Sequence, residues 1–148
     1  MSLQDNVNEQ LKAAMKAKDT VALESLRAIK TAIMMTQTQA GAKELTSDDE
    51  IKIVQKLVKQ RKDSAEIFYQ QGRVDLAEPE EAQIKIIEQF LPEQLDEAAI
   101  TEIVAAIIAK TGAAGMQDMG KVMGMASKEM AGKADGKTIS SIVRQKLS

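Results

Sequence analysis

Two segments in the last quarter of the chain resemble a phosphate-binding loop, which is the first chemistry that the residue types suggest. Such a loop needs a glycine, four residues and then Gly-Lys-Ser/Thr, so that backbone N–H groups hold phosphate and the hydroxyl holds magnesium. Gly132 lies one residue too close to Gly136-Lys137-Thr138. Gly115 is spaced correctly from Gly120-Lys121, but Val122 follows where a hydroxyl is needed. Both segments follow helical patterns rather than a buried strand, so we expect no bound nucleotide.

The absent residue types restrict the chemistry further. Among 148 residues there is no His and no Cys, which excludes a Ser-His-Asp triad, a thiol nucleophile and an ordinary zinc site. Asp63 or Glu81 with Lys62 or Lys85 could act as acid and base in principle, but the sequence shows no convergent set. The acidic run Ser47-Asp48-Asp49-Glu50 is interpreted as a helix capping box rather than a metal site. We therefore predict no cofactor, no metal and no catalytic residues, and the pattern favours a protein that is not an enzyme.

Charge is distributed unevenly along the chain. Residues 1–109 carry 13 Lys or Arg and 19 Asp or Glu, whereas residues 110–148 carry 7 and 3. A basic end on an acidic body indicates an anionic partner for that end. The alternative is that these lysines only keep a helical surface soluble.

Helical periodicity dominates the chain, and no alternating strand pattern is present. It predicts an all-α protein with an N-terminal bundle of about four helices, residues 1–92, joined to a C-terminal three-helix bundle, residues 93–148. The boundary is placed at residues 91–96, LPEQLD, because a proline disfavours helical backbone at the residue before it. A polar segment at 37–46 is predicted to be a loop, and Pro79 to be the first residue of a helix.

No apolar run approaches the roughly 18 residues that span a bilayer, and the polar start of the chain has no signal region. Together with the absence of cysteine, this predicts a cytoplasmic protein with no membrane partner.

The last helices contain features that fit binding. Lys133 and Lys137 are predicted on an exposed turn before a helix N-terminus, where N–H groups already point at anions. A row of methionines, Met116, Met119, Met123 and Met130, lies on one side of a predicted helix. Methionines at this spacing indicate a core, or else an adaptable apolar face for a partner. Few aromatic residues are available for base stacking, so recognition of a folded RNA by shape and phosphate is favoured.

Several short segments, in order along essentially the whole chain, resemble the GatB/YqeY family, whose members are similar to the tail region of the GatB subunit of the glutamyl/aspartyl-tRNA amidotransferase. They are Leu23-x-x-Leu26-Arg27, Arg61-Lys62-Asp63-Ser64 with Phe68, Gly72-Arg73-x-Asp75-Leu76-Ala77, Glu81, Ile87, Phe90-Leu91-Pro92-x-Gln94-Leu95, Asp118-Met119-Gly120-Lys121-Val122-Met123 and Gly132-Lys133-Ala134-Asp135-Gly136-Lys137. One departure is Lys133, where this family leads us to expect Arg; the charge is kept but a bidentate grip on phosphate is lost.

The resemblance implies an all-α, two-part protein linked to tRNA-dependent amide formation. Any label of carbon–nitrogen ligase with glutamine as amido-N donor would be inherited from the larger enzyme. Our leading hypothesis is therefore a non-catalytic tRNA-binding accessory module. The predicted phosphate contacts are Lys121, Lys133, Lys137 and Arg144, with Arg27, Lys59 and Arg61 as further candidates. The alternative is a helical adaptor that docks on an amidotransferase or tRNA-modifying complex through the Met-rich face of residues 116–130. The oligomeric state stays open.

Overall fold

The computed structural model describes residues 2–39, 41 and 44–148, and within them it is all-α, as predicted. These residues form seven α-helices and one short 3₁₀ turn at Met116–Asp118, and no strand. The helices are α1 Leu3–Ala17, α2 Thr20–Gln39, α3 Ser47–Gln70, α4 Val74–Glu88, α5 Glu97–Thr111, α6 Met119–Glu129 and α7 Gly136–Leu147. In the segment predicted to be a loop, residues 37–39 instead end α2, and residues 40, 42 and 43 lie outside the described part.

Contacts divide the chain into two compact units, Met1–Leu91 and Pro92–Ser148. We call them the first and the second unit. The first contains α1 to α4 around a core whose fully buried members include Leu26, Ile29 and Ile87. The second contains α5 to α7 around a separate core. Each unit therefore buries its own apolar surface, which is what allows a small helical unit to be stable.

Capping boxes start the first and third helices. Ser2 and Asp5 cap α1 reciprocally. The α3 box lies one residue earlier than predicted, because Thr46 rather than Ser47 exchanges hydrogen bonds with Asp49, at 3.2 and 3.0 Å. Glu50 is thereby free to accept a hydrogen bond from the Leu3 N–H at 2.6 Å, which joins the starts of α3 and α1. In the described part of the chain no three acidic side chains lie close enough together to hold a metal ion.

The turn between α3 and α4 also corrects a prediction. Gly72 has φ +71°, and the Arg73 N–H closes the turn onto the Phe68 carbonyl at 2.8 Å. The helix α4 begins at Val74, so Pro79 lies inside it rather than at its first position. Because proline has no N–H, the helix lacks the hydrogen bond that residue 79 would donate to the Asp75 carbonyl, one turn earlier.

None of the described helices is by itself long and apolar enough to cross a membrane. The pair Glu97–Thr111 and Met116–Glu129 passes that test only when taken together, with a bend of 98° between them. Both members of the pair contribute side chains to the core of the second unit.

Candidate nucleic-acid interface

The centre of the candidate site is the α6–α7 turn, residues 130–135. Gly132 is buried and has φ +78°, a conformation that suits glycine because it has no Cβ. The Lys133 N–H donates to the Met130 carbonyl at 2.9 Å, and Ala134 is buried beside it. The Lys133 side chain itself is exposed. The turn therefore fixes the backbone of this lysine and leaves its charge in solvent.

A short segment before α5, which we call the strap (residues 92–95), holds this turn from the other side. The Gln94 side-chain amide donates to the Gly132 carbonyl and to the Pro92 carbonyl, both at 2.7 Å. The Leu95 N–H donates to the Lys133 carbonyl at 2.8 Å. Two motifs nearly forty residues apart in the sequence thus meet, and the strap satisfies backbone carbonyls of the turn.

The start of α7 differs from the expected anion-binding N-terminus. Asp135 is the N-cap, and its carboxylate accepts from the Thr138 N–H at 2.8 Å and from the Thr138 hydroxyl at 2.9 Å. A carboxylate already occupies this end of the helix, so its charge opposes a second anion there. The Thr138 N–H is therefore already used, and a phosphate at this point would depend mainly on the basic side chains.

Two of the predicted residues lie on the solvent side of α7. Lys137 and Arg144 are both exposed and are seven residues apart, which places them on one face roughly 10 Å apart along the axis. The opposite face is buried through Ile139, Ile142 and Val143. Lys137, Arg144 and the turn lysine at 133 thus belong to one continuous turn-and-helix segment.

Lys121 lies on α6 of the same unit, next to the buried Val122, and is exposed. Within the described residues, Lys121, Lys133 and Arg144 form no ion pair. Their charges are therefore not already neutralised by a neighbouring carboxylate, which is a requirement for a phosphate contact.

The three remaining candidates belong to the first unit and differ among themselves. Arg27 on α2 and Lys59 on α3 are exposed. Arg61 is half-buried; its Nε donates to Gln83 Oε1 at 2.8 Å and its terminal nitrogen to the Leu57 carbonyl at 3.2 Å. The Gln83 amide continues to Glu24 at 3.1 Å, so this guanidinium links α3 to α4 and α2. Arg61 therefore has a structural role that its sequence position did not reveal.

Charge within the second unit is more local than the sequence suggested. Residues 92–148 as a whole carry 7 basic and 7 acidic side chains, so the unit is neutral. Four of the acids, Glu93, Asp96, Glu97 and Glu102, lie in the strap and around α5, where no base occurs before Lys110. The positive excess is thus confined to the end of α5 and the chain after it.

The Met-rich face is mostly core. Met130 is fully buried, and Met119, Met123 and Met125 are partly buried against the core of the second unit. Only Met116 of this row is largely exposed, at 46%. Most of the row therefore offers a partner only limited exposed surface.

A family model described as Yqey-like protein matches residues 4–147. The chain belongs to the YqeY family. The predicted resemblance is confirmed, and the relation extends to a protein named as a glutamyl-tRNA(Gln) amidotransferase subunit, from Thermococcus gammatolerans, which is 32% identical over 105 residues. That alignment covers 68% of this chain but 17% of the Thermococcus protein, so this YqeY chain resembles one region of a much longer polypeptide.

Other relatives are named altered inheritance of mitochondria protein 41, mitochondrial. Those of Lachancea thermotolerans and Clavispora lusitaniae are each 37% identical over 102 residues, or 69% of this chain. The alignments cover 54% and 58% of the relatives, so the YqeY chain spans little more than half of their length.

The names of these relatives correct the predicted location. Four of them carry the word mitochondrial, so the cytoplasmic prediction is wrong on this comparison. It rested on the absence of cysteine and of an apolar signal segment. Neither property separates one reducing aqueous compartment from another, which is why composition misled us.

Proposed function

We propose that this YqeY-family chain is a non-catalytic tRNA-binding accessory module. In this proposal the α6–α7 turn and the exposed face of α7 contact the RNA backbone through Lys133, Lys137 and Arg144, with Lys121 beside them. The observation that carries the proposal is the side chain of Lys133, which is exposed and forms no ion pair with any described residue, while hydrogen bonds anchor its backbone on both sides. The family relation to a protein named for glutamyl-tRNA(Gln) supports the choice of nucleic acid.

Backbone recognition suits these residue types better than base reading. Lysine offers a point charge to phosphate, and such contacts position a protein on RNA without specifying sequence. Of the three aromatic residues only Tyr69 is exposed, and it belongs to the first unit. The proposed interface therefore has no exposed aromatic ring on which a base could stack. A folded RNA recognised by shape and phosphate is the partner class that fits.

The proposal assigns no chemistry to the chain. Of the side chains considered for acid–base work, Lys62 pairs with Glu88 at 3.5 Å and Glu81 accepts from the Tyr69 hydroxyl at 2.9 Å. Both contacts join α3 to α4 at the surface, so they hold the two helices together rather than prepare a group for proton transfer. Amide transfer would therefore be performed by another protein, with this chain associated with an amidotransferase complex.

We also propose that residues 1–92 and 93–148 act as separate modules, a four-helix and a three-helix bundle.

The test is the salt dependence of tRNA affinity. In a variant with Lys133→Gln, Lys137→Gln and Arg144→Gln, the slope of log affinity against log salt should fall by about 2 to 3, since each lost phosphate contact removes about 0.7 to 0.9. The matched control is Lys12→Gln, Lys16→Gln and Lys30→Gln, which removes the same charge from exposed positions of α1 and α2. Equal losses in both variants, or binding that does not respond to salt, would contradict the proposal.

A further inference from the structure

A second surface, on the first unit, is independent of the proposed RNA contacts. The helices α3 and α4 border an open groove of about 670 Å³. Its lining residues repeat at helical spacing on both sides, with Lys62, Glu66 and Tyr69 on α3 and Glu81 and Glu88 on α4. We call this surface the α3/α4 groove. Residues that are three, four or seven positions apart lie on the same face of a helix. The groove therefore runs along both helices for about two turns.

The groove has an apolar floor and apolar residues at one end. Ala65 and Ile84, 5% and 8% exposed, form the floor. At the end next to the Gly72 turn, Tyr69 is 43% exposed. Val74, 47% exposed, lies seven residues before Glu81 and so continues the same stripe of α4. Together with the floor, these two side chains give the groove a small apolar surface on which a partner can pack.

The groove lies on the side of α4 that faces away from α2. Gln83, which bonds to Glu24 of α2, is two residues from Glu81, so the two side chains point about 200° apart around the helix. No residue of α1 or α2 contributes to the lining. The groove is therefore a free face of the α3–α4 hairpin with respect to α1 and α2.

The charged side chains around the groove indicate which kind of partner can bind there. The lining carries three acids, Glu66, Glu81 and Glu88, against two bases, Lys62 and Lys85, and Lys62 pairs with Glu88 at 3.5 Å. Glu78, whose charge acts on Tyr69, adds a fourth acid at the end of the groove. This modest negative excess disfavours an RNA backbone and favours a cationic partner. Amphipathic helices bind in grooves of this kind, which have an apolar floor between charged rims.

We propose that the α3/α4 groove binds an amphipathic α-helix of a partner protein that carries basic residues along its flanks. Small apolar side chains of that helix pack on Ala65 and Ile84, and its lysines or arginines meet the acidic rim of α4. The aromatic ring of Tyr69 closes the end of the groove, where it can also stack against a cation.

Tyr69 makes the test direct, because it is the only tyrosine of the chain and there is no tryptophan. The probe is an aromatic-free, helix-forming peptide of about 18 residues made of Leu, Ala and Lys, which is long enough to hold a helix. Its counterpart has Glu in place of Lys. With the full chain, the Lys peptide should change Tyr69 fluorescence in a saturable way, and the Glu peptide should not.

Variants localise the binding. Glu81→Lys should weaken binding of the Lys peptide by up to about fivefold, as expected for reversing one partner of an exposed charge pair. Val74→Ser leaves the Tyr69–Glu81 bond intact and should weaken it about threefold, the size expected for a partly lost apolar contact. Glu9→Lys, the same charge change at an exposed position of α1, is the control and should bind normally. Circular dichroism checks that each variant keeps its helices.

Several outcomes would overturn the proposal: no response of Tyr69 at high peptide concentration, equal binding of the Glu peptide, or an equal loss in Glu9→Lys. A response of Tyr69 to tRNA in place of the peptide would assign the groove to nucleic acid instead. The variant with Lys133, Lys137 and Arg144 replaced by Gln should bind the peptide like the native chain. Failure of the tRNA proposal is thereby separated from failure of this one.

Discussion

The side-chain amide of Gln94 donates a hydrogen bond to the carbonyl oxygen of Gly132 at 2.7 Å. The same amide nitrogen also donates to the Pro92 carbonyl, so both of its hydrogens are used. Through this contact a residue before α5 holds the turn that carries Lys133. The proposed RNA contact therefore depends on a side chain that lies outside the set of predicted phosphate contacts.

Replacing Gln94 should loosen the turn and lower stability. Gln94→Ala removes two hydrogen bonds and should lower the free energy of unfolding by about 1 kcal/mol, measured in urea. Gln94→Glu should cost more, because at neutral pH a carboxylate faces two carbonyl oxygens and can donate to neither. Glu93→Ala, next to it and exposed, is the control. If Gln94→Glu is as stable as Gln94→Ala, the amide is not the donor that holds the turn.

Removing the charge of Asp135 while keeping its cap should strengthen tRNA binding. Asp135→Asn retains an N-cap oxygen for the Thr138 N–H but removes a negative charge between Lys133 and Lys137. We expect tighter binding at low salt, with thermal stability close to native. Asp135→Ala should instead lose about 1 kcal/mol of stability through the missing cap. Unchanged affinity in the Asn variant would mean that the RNA lies away from this helix start.

The ionisation of Tyr69 should report its contact with Glu81. The hydrogen bond from its hydroxyl to the Glu81 carboxylate, with burial and the charges of Glu81 and Glu78, raises the pKa of Tyr69 above its ordinary value of 10.0. Absorbance titration of this single tyrosine should show the raised pKa in the native chain and a lower one in Glu81→Gln. Because the pKa is raised in the folded state, the stabilisation is fully present below pH 10.0 and is lost as pH rises through the folded value. Identical titrations of the two chains would mean that the hydrogen bond does not form in solution.

The two kinds of glycine should respond to alanine in opposite directions. Gly72 has φ +71° with open space around it, so Gly72→Ala should destabilise by about 1 to 2 kcal/mol through backbone strain alone. Gly124, inside α6 and equally open, has no such strain, and Gly124→Ala should stabilise by about 0.5 to 1 kcal/mol. Thermal unfolding followed by circular dichroism measures both. A destabilised Gly124→Ala would indicate a close neighbour at that position.

The fold class and most helix positions could be predicted because local signals agreed with the packing. Ser2 and Asp5 form a capping box at the start of α1, and Asp96 caps α5, so residue types that favour helix starts stand where these helices begin. Errors of register arose where two local signals competed. Thr46 and Ser47 are both good caps, and what separates them is the pairing of Glu50 with Leu3, which is distant in the sequence. The spacing of residues within one segment cannot predict such a long-range contact.

The candidate site was predicted less completely, for physical reasons. Exposure of Lys133 follows from the glycine-rich turn, but the Gln94 contact depends on how two distant segments pack. Arg61 carries the same charge as its neighbours on α3, yet its geometry commits it to Gln83. Composition likewise concealed the acids that neutralise the second unit, because the boundary at Pro92 decides which of them are counted.

The strap has a practical meaning for anyone who wishes to transplant the C-terminal helices. A cut just before α5, at Glu97, is the obvious choice, since a helix begins there. A fragment cut at that point would leave the Gly132 and Lys133 carbonyls without their hydrogen-bond donors. A fragment that starts at residue 92 keeps both donors, Gln94 and the Leu95 N–H. A site for fusing this fragment to another protein is therefore better placed in the irregular segment upstream of the Asp96 cap.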